Sequence, residues 1–103
     1  MSSVNPSSDF KMLWQIDIDG EVALLMSHLH PLRKQKIKES LRIMARNPLL
    51  GKPLQEELSG FFSYRVGTFR IIYAMDQKSK RLHIISIGPR RTIYEDLEKN
   101  LRL

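Results

Sequence analysis

One hairpin constrains this chain more than any other stretch. Residues 61–73 read Phe-Phe-Ser-Tyr-Arg-Val-Gly-Thr-Phe-Arg-Ile-Ile-Tyr, two runs of aromatic and β-branched residues around Gly67-Thr68. Gly-X at such a junction signals a two-residue type II′ turn, because glycine accepts the positive φ that the first turn position demands. A two-residue turn also sets register. Val66 then faces Phe69, Arg65 faces Arg70, Tyr64 faces Ile71, Ser63 faces Ile72 and Phe62 faces Tyr73. Alternation puts Phe62, Tyr64, Val66, Phe69, Ile71 and Tyr73 on one face, and Ser63, Arg65 and Arg70 on the other. Like charges directly opposite each other cost up to about 1 kcal/mol. Two opposed arginines are a poor choice for stability and a reasonable one for holding an anion.

The bulk properties narrow the class. A chain of 103 residues with 42% hydrophobic and 27% charged residues suits one soluble globular domain. It contains no cysteine, which excludes a disulfide framework, thiol chemistry and cysteine-bound zinc. No apolar run reaches the roughly 18 residues of a membrane span. Residues 1–9, Met-Ser-Ser-Val-Asn-Pro-Ser-Ser-Asp, have neither a basic nor an apolar leader region, so a cytoplasmic protein is expected. The net charge of +6, from 17 Lys and Arg against 11 Asp and Glu, favours an anionic partner: nucleic acid or an acidic protein.

Taken in order, residues 1–9 read as a flexible tail and residues 10–103 as a single domain. Trp14 to Ile18 alternates as a strand, with Trp14, Ile16 and Ile18 on its buried side. Asp19-Gly20 ends it and offers a cap to a short helix over residues 21–29, whose apolar positions are Val22, Leu25, Met26 and Leu29. Pro31, a favoured first-turn residue, opens a second helix to about Arg46. Its stripe is Ile37, Leu41, Met44 and Ala45, and its outer face carries Arg33, Lys34, Lys36, Lys38, Arg42 and Arg46. That outer face is read as solvated, with tracking of a nucleic-acid backbone as the minor alternative. Residues 49–60 form a connection in which Gly51-Lys52 lacks the spacing of a phosphate loop. The hairpin follows, then a polar turn at residues 76–80 and a third strand over residues 82–87. Thr92-Ile93-Tyr94-Glu95 has the form of a capping box for a C-terminal helix with Ile93, Leu97 and Leu101 inward. The expected fold is α+β in the order β-α-α-β-β-β-α. It has a small, largely antiparallel sheet, with the helical hairpin packed on the aromatic face. The Arg65/Arg70 face is left open, or partly covered by a loop or a partner.

Gly88-Pro89 breaks the chain after the third strand, so Arg90 and Arg91 follow a sharp turn beside the sheet end. Arginine offers a planar donor fork that matches phosphate oxygens and stays charged at any working pH. Several arginines without nearby carboxylates could neutralise a phosphate as it is attacked. The alternative is that Arg65 or Arg70 pairs with Glu56, Glu57 or Asp76. Tyr94, near the same corner, either contacts a nucleotide or packs as a half-buried aromatic. His83 on the third strand reads chiefly as structural, and His28 and His30 lack a third ligand for a metal.

These residues carry a resemblance to the RelE/ParE superfamily of bacterial toxins from type II toxin–antitoxin systems. The matching stretches are Leu58-x-Gly60-Phe61-Phe62-Ser63-Tyr64-Arg65-Val66-Gly67-Thr68-Phe69-Arg70-Ile71-Ile72-Tyr73, Ile87-Gly88-Pro89-Arg90-Arg91-Thr92-Ile93-Tyr94, and Arg46-Asn47-Pro48 before the connector. The resemblance implies a ribosome-dependent mRNA endonuclease that needs no metal or cofactor and transfers the scissile phosphate to the ribose 2′-hydroxyl. By position, Arg65 and Arg70 hold the phosphate. Arg90 neutralises charge or protonates the leaving oxygen, and Tyr94 orients or stacks on the mRNA. Lys52, Ser63 and Arg91 are the further RNA-contacting candidates. The chain departs from the RelE pattern at Ser63, where a lysine is expected, and in its shorter turn and shorter Gly88-to-Tyr94 interval. Those departures leave the general base unassigned and keep two alternatives: a ParE-like inhibitor of DNA gyrase, or a decayed member that only binds its antitoxin. The implied partners are a cognate acidic antitoxin in a hetero-oligomer, the ribosome and mRNA, with no membrane.

Overall fold

The computed structural model describes residues 13–101. The expected tail and both ends of the expected 10–103 domain lie outside the described residues. Strand β1 is Gln15–Ile18, helix α1 Gly20–Ser27 and helix α2 Pro31–Arg46. Strand β2 is Lys52–Pro53, β3 Phe62–Val66, β4 Phe69–Asp76 and β5 Arg81–Pro89, and helix α3 is Arg90–Leu101. The five strands form one sheet in the order β1-β5-β4-β3-β2. All neighbours are antiparallel except β1 and β5.

Local chemistry places the first half. The Asp19 carboxylate accepts from Val22 N at 3.0 Å and starts α1. Pro31 occupies the first turn of α2, and the His30 ring caps it by accepting from Leu32 N at 3.1 Å. Asn47 ends α2 and caps the short 3₁₀ turn Pro48–Leu50. The hairpin pairs in the expected register, from Phe62 with Tyr73 to Val66 with Phe69. Gly67 has φ +61°, while Thr68 is not among the residues with positive φ, as a type II′ turn requires. At the other end of β4, Asp76 accepts from Lys78 N and Ser79 N in the polar turn. Chiefly the hydrogen bond from the Ser79 N–H holds its carboxyl below the usual carboxylate range.

One side of the sheet packs against the helical hairpin. Val22 and Met26 of α1 and Ile37, Leu41 and Met44 of α2 are buried against Ile71, Tyr73, Leu82, Ile84 and Ile87. Phe62, Tyr64, Val66 and Phe69 are half-buried around them. A bulge in β5 makes this possible. Ile72 pairs with Ser86 but Tyr73 pairs with Ile84, so Ile85 is the extra residue. The inserted residue resets the alternation, and Ile84 and Ile87, three apart, both face this core.

The structure corrects several expectations. Ile18 is 36% exposed and Leu25 40% exposed, because β1 is an edge strand and the eight-residue α1 touches the sheet along one narrow line. Residues 52–53 form a strand on the outer edge of β3, where a proline costs no ladder bond; two residues are too few to show alternation. Helix α3 begins at Arg90, directly after β5, so Thr92 lies inside it rather than capping it. The Arg65/Arg70 face is also not left open along its length. Ile72, Leu58, Ile93 and Leu97 form a second buried cluster there, with Phe61, Ile85 and Tyr94 half-buried beside it. Helix α3 is the cover, and the signal was Ile72, an apolar residue on the supposedly polar side of β4.

Tyr73 ties the connector to the sheet. Its hydroxyl donates to Pro48 O at 2.7 Å and accepts from Gly51 N at 2.9 Å, and a Cβ at Gly51 would collide with the phenol ring. Burial pushes the Tyr73 hydroxyl above its ordinary value. Tyr73→Phe leaves a buried N–H and a carbonyl unpaired, an expected loss of about 1–3 kcal/mol by urea denaturation. The raised value means that the neutral form is favoured in the fold. This contribution is therefore complete below the unfolded tyrosine value, about 10, and is lost as pH rises through the folded one. Stability measured across alkaline pH should fall more steeply in the parent than in Tyr73→Phe.

Candidate functional site

The turn end of the hairpin gathers the predicted arginines. Arg65 and Arg70 are directly opposed on β3 and β4, and Gly88 of β5 continues their row without a side chain. Arg65 is exposed and Arg70 half-buried. Arg70 Nη1 donates to Gly67 O at 3.3 Å and to Phe69 O at 3.0 Å. These bonds aim the guanidinium with backbone carbonyls rather than neutralising it. Arg90 joins through its backbone: its N–H donates to Thr68 O at 2.9 Å. The hairpin turn thus satisfies one of the free donors at the start of α3. Above Gly88, a Cβ would sit 3.6 Å from Ile93, so the helix folds back closely over the end of β5.

Among the described residues none of these arginines pairs with a carboxylate; Asp17 instead holds Arg81 at 2.9 Å and lies 3.4 Å from His83 Nδ1. Of the carboxylates expected as alternative partners, Glu56, Glu57 and Asp76, the last caps the polar turn, and among the described residues neither Arg65 nor Arg70 forms an ion pair. Arg90 and Arg91 add positive charge to the positive end of the α3 dipole, which costs about 0.3–1 kcal/mol each. Opposing Arg65 to Arg70 costs a similar amount. Four cations are concentrated where each makes the fold less stable. That is the electrostatic character of a site for a polyanion.

One row inward lie the remaining candidates. Lys52 of β2 pairs with Ser63 of β3, which pairs with Ile72. Lys52 and Arg91 are exposed, whereas Ser63 is only 8% exposed. Ser63 Oγ and Tyr94 Oη lie 2.9 Å apart. Ser63, expected as an RNA contact, is a buried residue whose hydroxyl faces that of Tyr94. It fastens Tyr94, which is half-buried over the second core with its hydroxyl at the margin of the arginine row. Sequence reasoning had the two residues separately and missed the bond, because 31 positions separate them and α3 was not known to fold over β3.

The other candidates lie elsewhere. His83 pairs with Ala74 at the far end of the sheet, with its Nδ1 3.4 Å from Asp17 Oδ2. Five residues of strand, roughly 15 Å, separate it from Gly88. Asp17 also accepts from Arg81 Nη1 at 2.9 Å. His28 Nδ1 is 2.9 Å from Leu24 O, and His30 caps α2, so both rings serve helix ends. Among the described residues, no group of three or more His, Cys, Asp or Glu is placed to hold a metal ion. No helix among them is long and apolar enough to cross a membrane.

An α+β fold with a bare cationic sheet end defines a class that the comparisons with known proteins specify. The family model for the ParE toxin of the parDE type II toxin–antitoxin system matches residues 30–94, and the chain belongs to this RelE/ParE superfamily of toxins. It is 42% identical over 52 residues, half of this chain, to toxin RelG of Mycobacterium tuberculosis. It is 44% identical over 45 residues, 44% of this chain, to toxin RelE of the same organism. The matched stretches span 60% and 46% of those two relatives. Among solved structures, the toxin–antitoxin complex RelBE2 of M. tuberculosis superposes with a TM-score of 0.71 at 28% identity. That match covers 77% of this chain and 93% of the other. A free-state E. coli RelE toxin mutant superposes with a TM-score of 0.72 over 89% of this chain and 99% of that one; at 15% identity the likeness is one of fold.

The Ser63–Tyr94 bond yields a direct test. Ser63→Ala and Tyr94→Phe, with the double variant, should show a coupling of about 0.5–1.5 kcal/mol by denaturation. Strict additivity would mean that the bond contributes nothing to holding α3.

Proposed function

We propose that this chain is the toxin of a type II toxin–antitoxin pair and acts as a ribosome-dependent mRNA endonuclease. The observation that carries this reading is the convergence of Arg65, Arg70 and Arg90 on one turn, outside the ion pairs described and beside the Tyr94 hydroxyl. In this reading the ribose 2′-hydroxyl gives its proton to solvent as it attacks the adjacent phosphorus, a 2′,3′-cyclic phosphate forms, and the 5′-oxygen leaves and takes a proton from solvent. The dianionic transition state is the species the arginines favour. Arg65 and Arg70 bind the non-bridging oxygens from below, and Arg90 neutralises charge from the helix side. Arg90 does not protonate the leaving oxygen, because a guanidinium keeps its proton in a protein. Tyr94, fixed by Ser63, orients the nucleotide. Ser63 occupies the position where a lysine is expected in RelE, and here that position serves Tyr94 rather than the phosphate. The cytoplasm, with its ribosomes, is the compartment this activity needs.

The partner follows from the same surface. Relatives such as RelBE2 are solved as toxin–antitoxin complexes. For this chain we assign a cognate antitoxin whose acidic segment covers the arginine end, since among the described residues Arg65, Arg70, Arg90 and Arg91 form no ion pair.

A second reading, a ParE-like inhibitor of DNA gyrase, is favoured by one observation: the matching family model is that of ParE. Cell-free translation with purified protein separates the two. The endonuclease reading expects truncated mRNA on ribosomes, and cleavage slowed about 10²–10³-fold in Arg70→Ala and in Arg90→Ala. Intact mRNA together with trapped gyrase–DNA complexes would establish the second reading instead. Cleavage undiminished in both variants would remove the arginines from the mechanism.

A further inference from the structure

The other side of the same turn carries a feature that phosphate binding does not use. Arg33, in the first turns of α2, lies with its Cζ 3.9 Å from the centre of the Phe69 ring. At that distance the guanidinium makes a close cation–π contact with the ring. The side chain is half-buried, and among the described residues it makes no hydrogen bond or ion pair. The cation therefore lies over Phe69, and among the described residues its N–H donors are unused. Beside it runs a groove of about 360 Å³ between the start of α2 and the hairpin turn, lined by His30, Arg33, Lys36, Val66, Gly67 and Thr68. No carboxylate lines it. Gly67 and Thr68 belong equally to the arginine row, since their carbonyls accept from Arg70 and Arg90.

We propose that the Arg33–Phe69 stack is a platform for a nucleobase, so that the groove receives a base of the RNA strand whose phosphate lies on Arg65 and Arg70. The inference rests on the RNA-directed reading above and names a base subsite for it. Stacking on an arginine plane is a common way to hold an unpaired base. A guanidinium already backed by an aromatic ring loses little freedom on binding. Lys36, which also lines the groove, is available to the phosphate of that nucleotide. An acidic peptide would use the edge of the guanidinium and would have no need of its face, so a single strand of RNA fits the geometry better than a protein segment.

The test uses the full chain and free nucleotides, and needs neither ribosome nor cleavage. Isotope-labelled protein is titrated with adenosine monophosphate and, separately, with inorganic phosphate, while the Arg33 side-chain N–H and the amides of Gly67, Thr68 and Phe69 are followed by NMR. The nucleotide should move the Arg33 and Phe69 signals with the sign of a ring current, and phosphate alone should not. Arg33→Lys keeps the charge but loses the plane, and should weaken nucleotide binding roughly 10-fold while leaving phosphate binding on the arginine row unchanged. Equal nucleotide binding by Arg33→Lys, or identical shifts from phosphate, would overturn the platform. So would shifts produced by a poly-glutamate peptide but not by the nucleotide, which would make the groove a protein-docking surface. If nucleotide binding depends on Arg33 while cell-free translation leaves mRNA intact, the base subsite stands and the endonuclease assignment alone falls.

Discussion

Three consecutive residues of β4, Ile71, Ile72 and Tyr73, are completely buried, and the rest of the structure is arranged around that fact. Consecutive strand residues point to opposite faces, so both faces of the sheet need a cover. The α1–α2 hairpin covers Ile71 and Tyr73, and α3 covers Ile72. A small sheet with one solvated face would have tolerated a polar residue at position 72. With isoleucine there, the C-terminal segment must return over the sheet, and Pro89 followed at once by Arg90 turns it back.

That return is what assembles the site. Because α3 starts where β5 ends, its first residues are held against the hairpin turn by the Arg90-to-Thr68 bond. The two arginines of the helix start thereby join the two of the hairpin. Hydrophobic burial, worth about 25 cal/mol per Å² of apolar surface, offsets the repulsion among four cations. The charges sit at the margin of the second cluster, where solvent still reaches them, so they distort no core. A fold that needed those arginines for stability would have paired them; Arg81 and His83, at the opposite end of the sheet, do share a carboxylate.

The serine at position 63 shows how one substitution of type alters the architecture of a site. A long cation there would have to reach past α3 to solvent. A buried hydroxyl instead bonds the hydroxyl of Tyr94, converting a chemical position into a mechanical one. The tyrosine gains a fixed position, and the residue paired with Ser63 on the outer strand is the exposed Lys52.

The residues by themselves determined the hairpin, its register and the opposition of Arg65 to Arg70, because a two-residue Gly-X turn allows a single pairing and side chains alternate with period two. They also determined both helices of the first half, through Asp19, Pro31 and the spacing of Ile37, Leu41 and Met44. Only the tertiary structure decided the rest. The parallel β1–β5 pairing, the two-residue β2 and the bulge at Ile85 depend on contacts between segments far apart in the chain, and none leaves a local pattern. The cover over Ile72, the start of α3 at Arg90 and the bond between Ser63 and Tyr94 follow from the path of the last helix. That path is set by where buried surface is still needed once the other elements have packed, which no single segment records.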